Sequence, residues 1–284
     1  MTDKYAVIGN PIAHSKSPQI HRMFAKQTGQ DISYEAIEAP LCDLVEFKKF
    51  IENNLIAKEF KGCNVTVPFK FKAFRIANDV SNEVIDAVDS GYEADAVNTL
   101  VFSDNKITGC NTDGIGLVRD IEQNIKFPLK NKRILLIGAG GAAAGVLHPL
   151  LEASQISLVI YNRTLEKATS LKKTVEQHDK FRLFSIRAVE FGGFGDEQFD
   201  VVINATSAGL TGSEIPLPET IFASGALAYD MMYGRETPFM RFAREHGARV
   251  ADGLGMLVEQ AAESFFIWRG VRPDTAPVIA ALRT

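Results

Sequence analysis

Short apolar runs, rich in β-branched residues, alternate along the chain with longer stretches in which apolar positions return every three or four residues. The short runs predict strands near Tyr5 to Ile8, Ser33 to Ile37, Gly62 to Val67 and Ala96 to Phe102. A second set is predicted near Arg133 to Ile137, Leu158 to Tyr161, Phe181 to Ser185, Val201 to Asn204 and Ala226 to Asp230. The helical spacing predicts helices over Pro18 to Thr28, Leu44 to Asn54, Phe71 to Ala77, Gly141 to Ala153 and Leu165 to Gln177. Asn111 to Ile125 reads as a helix joining the two sets, with Thr112 a candidate cap and Ile115, Leu117, Val118, Ile121 and Ile125 as apolar positions. Phe191 to Phe199 reads as a loop. Strand and helix in alternation is the pattern of parallel sheets covered by helices, so the expected class is α/β.

Composition narrows the function. With 284 residues, 46% hydrophobic and 23% charged, the chain can build two cores and has the balance of an ordinary globular protein. A net charge of −4 gives no basic footprint for a polyanion, so no nucleic-acid partner is expected. Cys42, Cys63 and Cys110 are odd in number and form no C-x-x-C, which suggests reduced thiols and neither a disulfide framework nor a zinc site. Neither His14 nor His21 has a second ligand at metal spacing, and these two and Met256 are taken as structural, with no metal implied. The uncharged stretch Ile134 to Leu151 is 18 residues long, but its four glycines and Pro149 read as strand, turn and helix instead of a membrane span. The start of the chain enters a strand directly, without the regions of a signal peptide. The expectation is a cytoplasmic protein with no membrane partner.

The strongest cofactor signal is RILLIGAGGAAAGVLHPLL. Gly138, Gly140 and Ala143 fit G-x-G-x-x-G/A between an apolar strand and a helix, the context of a dinucleotide fingerprint. Gly138 permits the tight turn, Gly140 a close approach of backbone to pyrophosphate, and Ala143 close packing. The helix N-terminus adds free N–H groups and positive potential. At the end of the next strand, where an NAD site places a carboxylate for the ribose hydroxyls, this chain has Asn162, Arg163 and Thr164, with Lys167 one turn later. Cations there suit a 2′-phosphate, so NADP is expected over NAD. The missing acid also weighs against an S-adenosylmethionine site. A different feature stands in GCNVTVPFK, where a strand-like run ends in Pro68 and Phe69 and delivers Lys70 just past the break. By itself a lysine in that place reads as surface charge, since lysines are rarely buried.

GNPIAHSKSP, GCNVTVPFK, AVNTL, GCNTDGIG, IGAGGAA, YNRT, NATSAG, DMMYGRETPF and DGLGMLVEQAAESF follow one another from Gly9 to Phe265. In these stretches, and in their order, the chain closely resembles the shikimate dehydrogenases. The resemblance implies a split substrate domain of residues 1–112 and 254–284 around a Rossmann-type NADP-binding domain of residues 113–253. It also implies reversible NADP-linked reduction of 3-dehydroshikimate to shikimate in aromatic amino acid (chorismate) biosynthesis.

By the same resemblance Lys70 and Asp113 are the catalytic pair. Ser15 and Ser17 hold the substrate carboxylate, Asn64, Thr66, Asn98 and Gln260 bond the ring hydroxyls, and Tyr233 lies against the substrate. The cofactor is assigned to Gly138, Ala139, Gly140, Gly141, Ala142, Ala143, Asn162, Arg163, Thr164, Lys167, Thr206, Met231 and Gly253. Oxidising a secondary alcohol requires a proton to leave the hydroxyl, and an anionic neighbour favours a charged lysine where burial favours a neutral one. Lys167 replaces a second arginine common in the family, so the phosphate clamp is a point charge in place of a fork. Cys63 is bulkier than the alanine often found there. A quinate/shikimate dehydrogenase with relaxed cofactor use is the alternative, and a nucleotide-sensing regulator would have no reason to retain Lys70 and Asp113. The spacing does not separate a monomer from a homodimer.

Overall fold

A computed structural model of the chain describes residues 2–77, 79–80, 96–103, 106–154, 157–177, 184–190 and 192–283. The chain divides into two compact units, one of Met1–Gly116 with Val258–Thr284 and one of Leu117–Leu257. The first contains β1 (Asp3–Gly9), α1 (Ser17–Thr28), β2 (Ile32–Glu38), α2 (Leu44–Asn54), β3 (Phe60–Val65), α3 (Lys70–Ile76), β4 (Asp79–Val80), β5 (Thr99–Ser103) and β6 (Lys106–Cys110). Its sheet has the order β2-β1-β3-β5-β6-β4. The sheet is mixed: β1 pairs in parallel with β2 and β3, whereas β5 runs antiparallel to both β3 and β6. The wholly parallel expectation fails here because β5 and β6 are joined by a connection too short for a crossover helix.

Local chemistry sets the element ends. Asp43 caps α2 by accepting the Glu46 N–H at 2.9 Å, and α1 begins with a proline in its first turn and stops at Gly29 in the left-handed region, φ 67°. The strand expected to reach Val67 stops at Val65, because Thr66 to Phe69 form a turn closed by the Phe69 N–H on the Thr66 carbonyl at 2.9 Å. Behind the turn a core forms from Ile8, Phe47, Ile51, Val65, Phe69 and Leu100. Phe69 is fully buried and stacked on Phe47 with ring centres 5.0 Å apart.

The second unit holds the rest of α4 (Asp113–Arg119), then β7 (Arg133–Ile137), α5 (Gly141–Ser154), β8 (Ser157–Tyr161), α6 (Leu165–Glu176), β9 (Ser185–Val189), β10 (Phe199–Asn204), α7 (Ala208–Thr211), β11 (Phe222–Asp230), α8 (Pro238–Glu245) and β12 (Arg249–Asp252). Two further helices follow, α9 (Leu254–Arg269), which from Val258 on belongs to the first unit, and α10 (Ala276–Arg283), which lies wholly in it. The sheet order β9-β8-β7-β10-β11-β12 is parallel throughout, which is the doubly wound Rossmann arrangement with its switch point between β7 and β10. The whole is an α/β protein, a substrate-domain-like α/β unit and a Rossmann unit.

Three expectations need correction. The predicted helix over Asn111 to Ile125 is α4 followed by one wide π-type turn, Asp120–Asn124. Buried Asp120 is held there by the Tyr229 hydroxyl at 2.7 Å and the Asn124 amide at 2.9 Å. Thr112 does not turn its hydroxyl to a cap: the Asn111 carboxamide accepts the Asp113 N–H, and the Thr112 hydroxyl points to Asn98 and Gln260. Of the strand placed at Phe181 to Ser185, residues 181–183 lie outside the described residues, and the strand observed is β9. Among the described residues no helix is long and apolar enough to cross a membrane.

Candidate active site

Lys70 is the first residue of α3, directly after the turn that Phe69 anchors. Its backbone is tied to the adjoining chain by the Val97 N–H on the Lys70 carbonyl at 3.1 Å. Its Nζ forms an ion pair with Asp113 Oδ2, and both side chains are largely shielded, 14% and 7% exposed. The other Asp113 oxygen accepts from the Asn98 Nδ2 at 2.9 Å, so the carboxylate is held at both ends. Asn98 sits between the strand ends: its backbone N–H donates to Cys110 and its carbonyl accepts from Val65. Its side-chain oxygen accepts from the Thr112 N–H at 2.9 Å, which fixes the direction of the amide.

Around this pair the structure gathers several of the expected residues. Gln260, on α9, places Oε1 3.1 Å from Asn98 Nδ2 and 3.3 Å from the Thr112 hydroxyl. Its position depends on Gly116, where an added Cβ would stand 2.7 Å from Gln260 Cβ and 2.8 Å from its backbone nitrogen. Asn64 donates from Nδ2 to the Thr99 and Ser264 hydroxyls at 3.0 and 2.9 Å. Thr66 packs its methyl against Gly9, where a Cβ would meet it at 2.5 Å. Ser15 and Ser17 share one turn, the Ser17 N–H donating to Ser15 Oγ at 3.2 Å, and Ser17 is buried. Tyr233 belongs to the other unit, and burial raises its phenol pKa.

Sequence reasoning missed four members of the network: Tyr34, Thr99, Thr112 in its actual role, and Ser264. Signals for two of them were present. Thr99 adjoins Asn98 in AVNTL, and Ser264 follows Gln260 by one helical turn, with its hydroxyl donating to the Gln260 carbonyl at 3.1 Å. Tyr34 has no such signal, because it comes from a strand distant in sequence and resembles any half-buried aromatic on a sheet.

In the second unit the glycine-rich turn follows β7. Gly138 has φ 112°, a conformation that an L side chain rarely adopts, and a Cβ there would crowd Thr206 and the Ala205 carbonyl at 3.1 and 3.2 Å. A Cβ on Gly140 would meet nothing within 4 Å, so the backbone there faces open space that a ligand can approach. Ala139, Gly141, Ala142 and Ala143 complete the turn and the first residues of α5. After β8, Asn162 closes its loop through Nδ2 on the Thr164 carbonyl at 2.8 Å, and the Lys167 N–H bonds the same carbonyl at 3.1 Å as α6 begins. Arg163 and Lys167 are exposed and have no hydrogen bond or ion pair from their side chains among the described residues.

Thr206 and Met231 lie just past the ends of β10 and β11, beside a buried polar cluster. Asn204 accepts from the Thr206 hydroxyl at 2.7 Å and donates to Asp230 at 3.1 Å, and Asp230 also accepts from Thr237 at 2.5 Å. Burial raises the Asp230 carboxyl pKa, against the opposing effect of these hydrogen bonds. Gly253 leaves no room for a side chain, since a Cβ would overlap the Met231 carbonyl oxygen at 2.2 Å. A backbone turn with an open face, unpaired cations after β8 and no carboxylate at Asn162 together fit a dinucleotide with a 2′-phosphate.

Residues 7–100 match the family described as shikimate dehydrogenase substrate binding domain, residues 120–211 match shikimate / quinate 5-dehydrogenase, and residues 253–283 match shikimate 5'-dehydrogenase C-terminal domain. A protein of Methylobacillus flagellatus named shikimate dehydrogenase (NADP(+)) is 58% identical over 99% of both chains. One of Dechloromonas aromatica with the same name is 52% identical over 100% of this chain and 98% of its own. Among solved structures, the Thermus thermophilus shikimate 5-dehydrogenase in complex with NADP(H) and shikimate is similar with a TM-score of 0.83, 32% identity and 99% of each chain covered. By sequence and by fold, the chain belongs to the shikimate dehydrogenase family.

Proposed function

We propose that the protein catalyses the NADP-linked, reversible reduction of 3-dehydroshikimate to shikimate, the reaction named for its relatives, with Lys70 and Asp113 as the acid/base pair. The observation that carries this reading is the shielded Lys70–Asp113 ion pair set among buried amides and hydroxyls. NADP, when bound, supplies the hydride acceptor or, reduced, the hydride donor. In the oxidative direction Lys70 Nζ takes the proton from the alcohol, and in the reductive direction it returns one to the carbonyl oxygen. Asp113 holds Nζ in place, and its second oxygen is occupied by Asn98, so the carboxylate does not swing away from the lysine. Ser15 and Ser17 donate hydroxyl hydrogens to the substrate carboxylate. Asn64, Thr66, Asn98 and Gln260 meet the ring hydroxyls, a task suited to groups that both donate and accept. Tyr233 adds a further contact to the substrate.

The turn Gly138 to Ala143, with Thr206, Met231 and Gly253, would hold the pyrophosphate and nicotinamide ends of the cofactor. Asn162, Arg163, Thr164 and Lys167 would hold the 2′-phosphate end. The test is a matrix of initial rates for the purified protein with shikimate or quinate against NADP or NAD. Shikimate with NADP is expected to give the highest kcat/KM, and equal rates with quinate or with NAD would move the reading to the relaxed quinate/shikimate type.

A further inference from the structure

Behind the substrate-facing residues, Tyr34 on β2 donates its hydroxyl to Asn64 Oδ1 at 2.7 Å. With the oxygen so engaged, Asn64 Nδ2 faces three acceptors, the Ser264 and Thr99 hydroxyls at 2.9 and 3.0 Å and the Asn98 carbonyl at 3.2 Å. An amide has two hydrogens and two oxygen lone pairs. Its hydrogens are therefore taken up inside the protein, while one lone pair of Oδ1 is left. Flipping the amide would set Oδ1 against the Asn98 backbone carbonyl, which can only accept, so that contact decides the orientation.

The phenol is itself held firmly. The Tyr34 ring stacks on the His21 ring with centres 4.0 Å apart and planes 6° from parallel, and Trp268 closes the cluster at 6.2 Å. His21 is fully buried and among the described residues neither of its ring nitrogens has a hydrogen-bond partner, so it serves as a flat neutral surface. Burial raises the Tyr34 pKa well above the usual phenol value, with the neighbouring Ser17 hydroxyl opposing. Burial thus favours the protonated phenol, the form that donates.

We infer that Tyr34 is a positioning residue for the reaction: its hydroxyl locks the Asn64 amide so that Asn64 meets the substrate only as a hydrogen-bond acceptor, which demands a donating hydroxyl on the ligand. The inference rests on the reading of Asn64 as a substrate contact. It also makes Tyr34 a determinant of specificity, because a ligand that presents only an acceptor at that point would face an oxygen. Sites built to bond a hydroxyl reject analogues lacking it far more strongly than apolar pockets reject an extra methylene.

The experiment compares the unmodified protein with Tyr34→Phe, which keeps the ring and its stack and removes only the donor. Dissociation constants are measured for shikimate and for three analogues, each lacking one ring hydroxyl, together with kcat, KM and Tm. In the unmodified protein one analogue is expected to bind about ten-fold or more weakly than shikimate. In Tyr34→Phe the gap for that analogue should shrink by most of its value while the other gaps persist. KM for shikimate should rise about five- to ten-fold with kcat changed less than about two-fold, since the proton-transfer pair is untouched. If Tm falls while KM and all the gaps stay as they were, Tyr34 is merely structural and the inference is overturned. If no analogue loses affinity even in the unmodified protein, the ring-hydroxyl reading itself fails, and the inference goes with it.

Discussion

Arg163 and Lys167 are exposed and their side chains have no partner among the described residues, so a contribution of theirs to a 2′-phosphate would be screened by water and salt. Replacing both by neutral residues should raise KM for NADP about ten- to a hundred-fold and leave KM for NAD nearly unchanged, and added salt should mimic the effect in the unmodified protein. Equal loss with both cofactors would remove the phosphate role. The contacts proposed for Ser15 and Ser17 differ in kind, since a substrate carboxylate is charged throughout the reaction and hydrogen bonds to it would act equally in ground and transition states. Ser15→Ala with Ser17→Ala should therefore raise KM for shikimate with little change in kcat, and a variant with unchanged KM would contradict the assignment.

At the scale of elements, two close approaches set the site. Phe69 is fully buried against Phe47, and it fixes the turn from which α3 starts with Lys70. Phe69→Ala should destabilise the fold by about 3 to 5 kcal/mol, the usual cost of emptying a buried aromatic site, as read from denaturant unfolding. α4 meets α9 backbone to backbone at Gly116 and Gln260. In Gly116→Ala the added methyl must push Gln260 away from Asn98 and Thr112, so KM for shikimate should rise while KM for NADP holds. A crystal structure of that variant with Gln260 still 3.1 Å from Asn98 would show the packing to be softer than this account requires.

For the molecule as a whole, His21 predicts acid sensitivity. Burial lowers its pKa from 6.5 to about 3. The unfolded chain therefore binds this proton first, and the stability from keeping His21 neutral is fully present above pH 6.5 and is lost progressively as pH falls from there towards 3. At pH 5 the loss comes to about 2 kcal/mol for this one group. His21→Phe, which keeps a flat ring against Tyr34, should flatten the fall in unfolding free energy between pH 8 and about pH 5; an unaltered slope would show that His21 does not control it.

The second unit was the more legible in sequence, because a parallel sheet writes each strand as an apolar run and each crossover as a helix. Even there the start of β11 was hidden: Gly225, with φ 72°, interrupts the run, and only Ala226 to Asp230 reads as strand. In the first unit β5 and β6 form an antiparallel pair, and a half-polar strand such as KITGC carries little signal. The site shows the same division. Lys70 and Asp113 stand in motifs, whereas Tyr34 acquires its place only when β2 comes alongside β1 and its hydroxyl reaches across to Asn64 on β3.

The central claim is that Lys70 moves the proton, and steady-state kinetics of Lys70→Ala with shikimate and NADP test it most directly. In the variant kcat should fall about 10²- to 10⁴-fold, the usual share of one acid/base group, with a smaller change in KM for shikimate. A variant that keeps near-normal kcat would remove Lys70 from the mechanism and contradict the account.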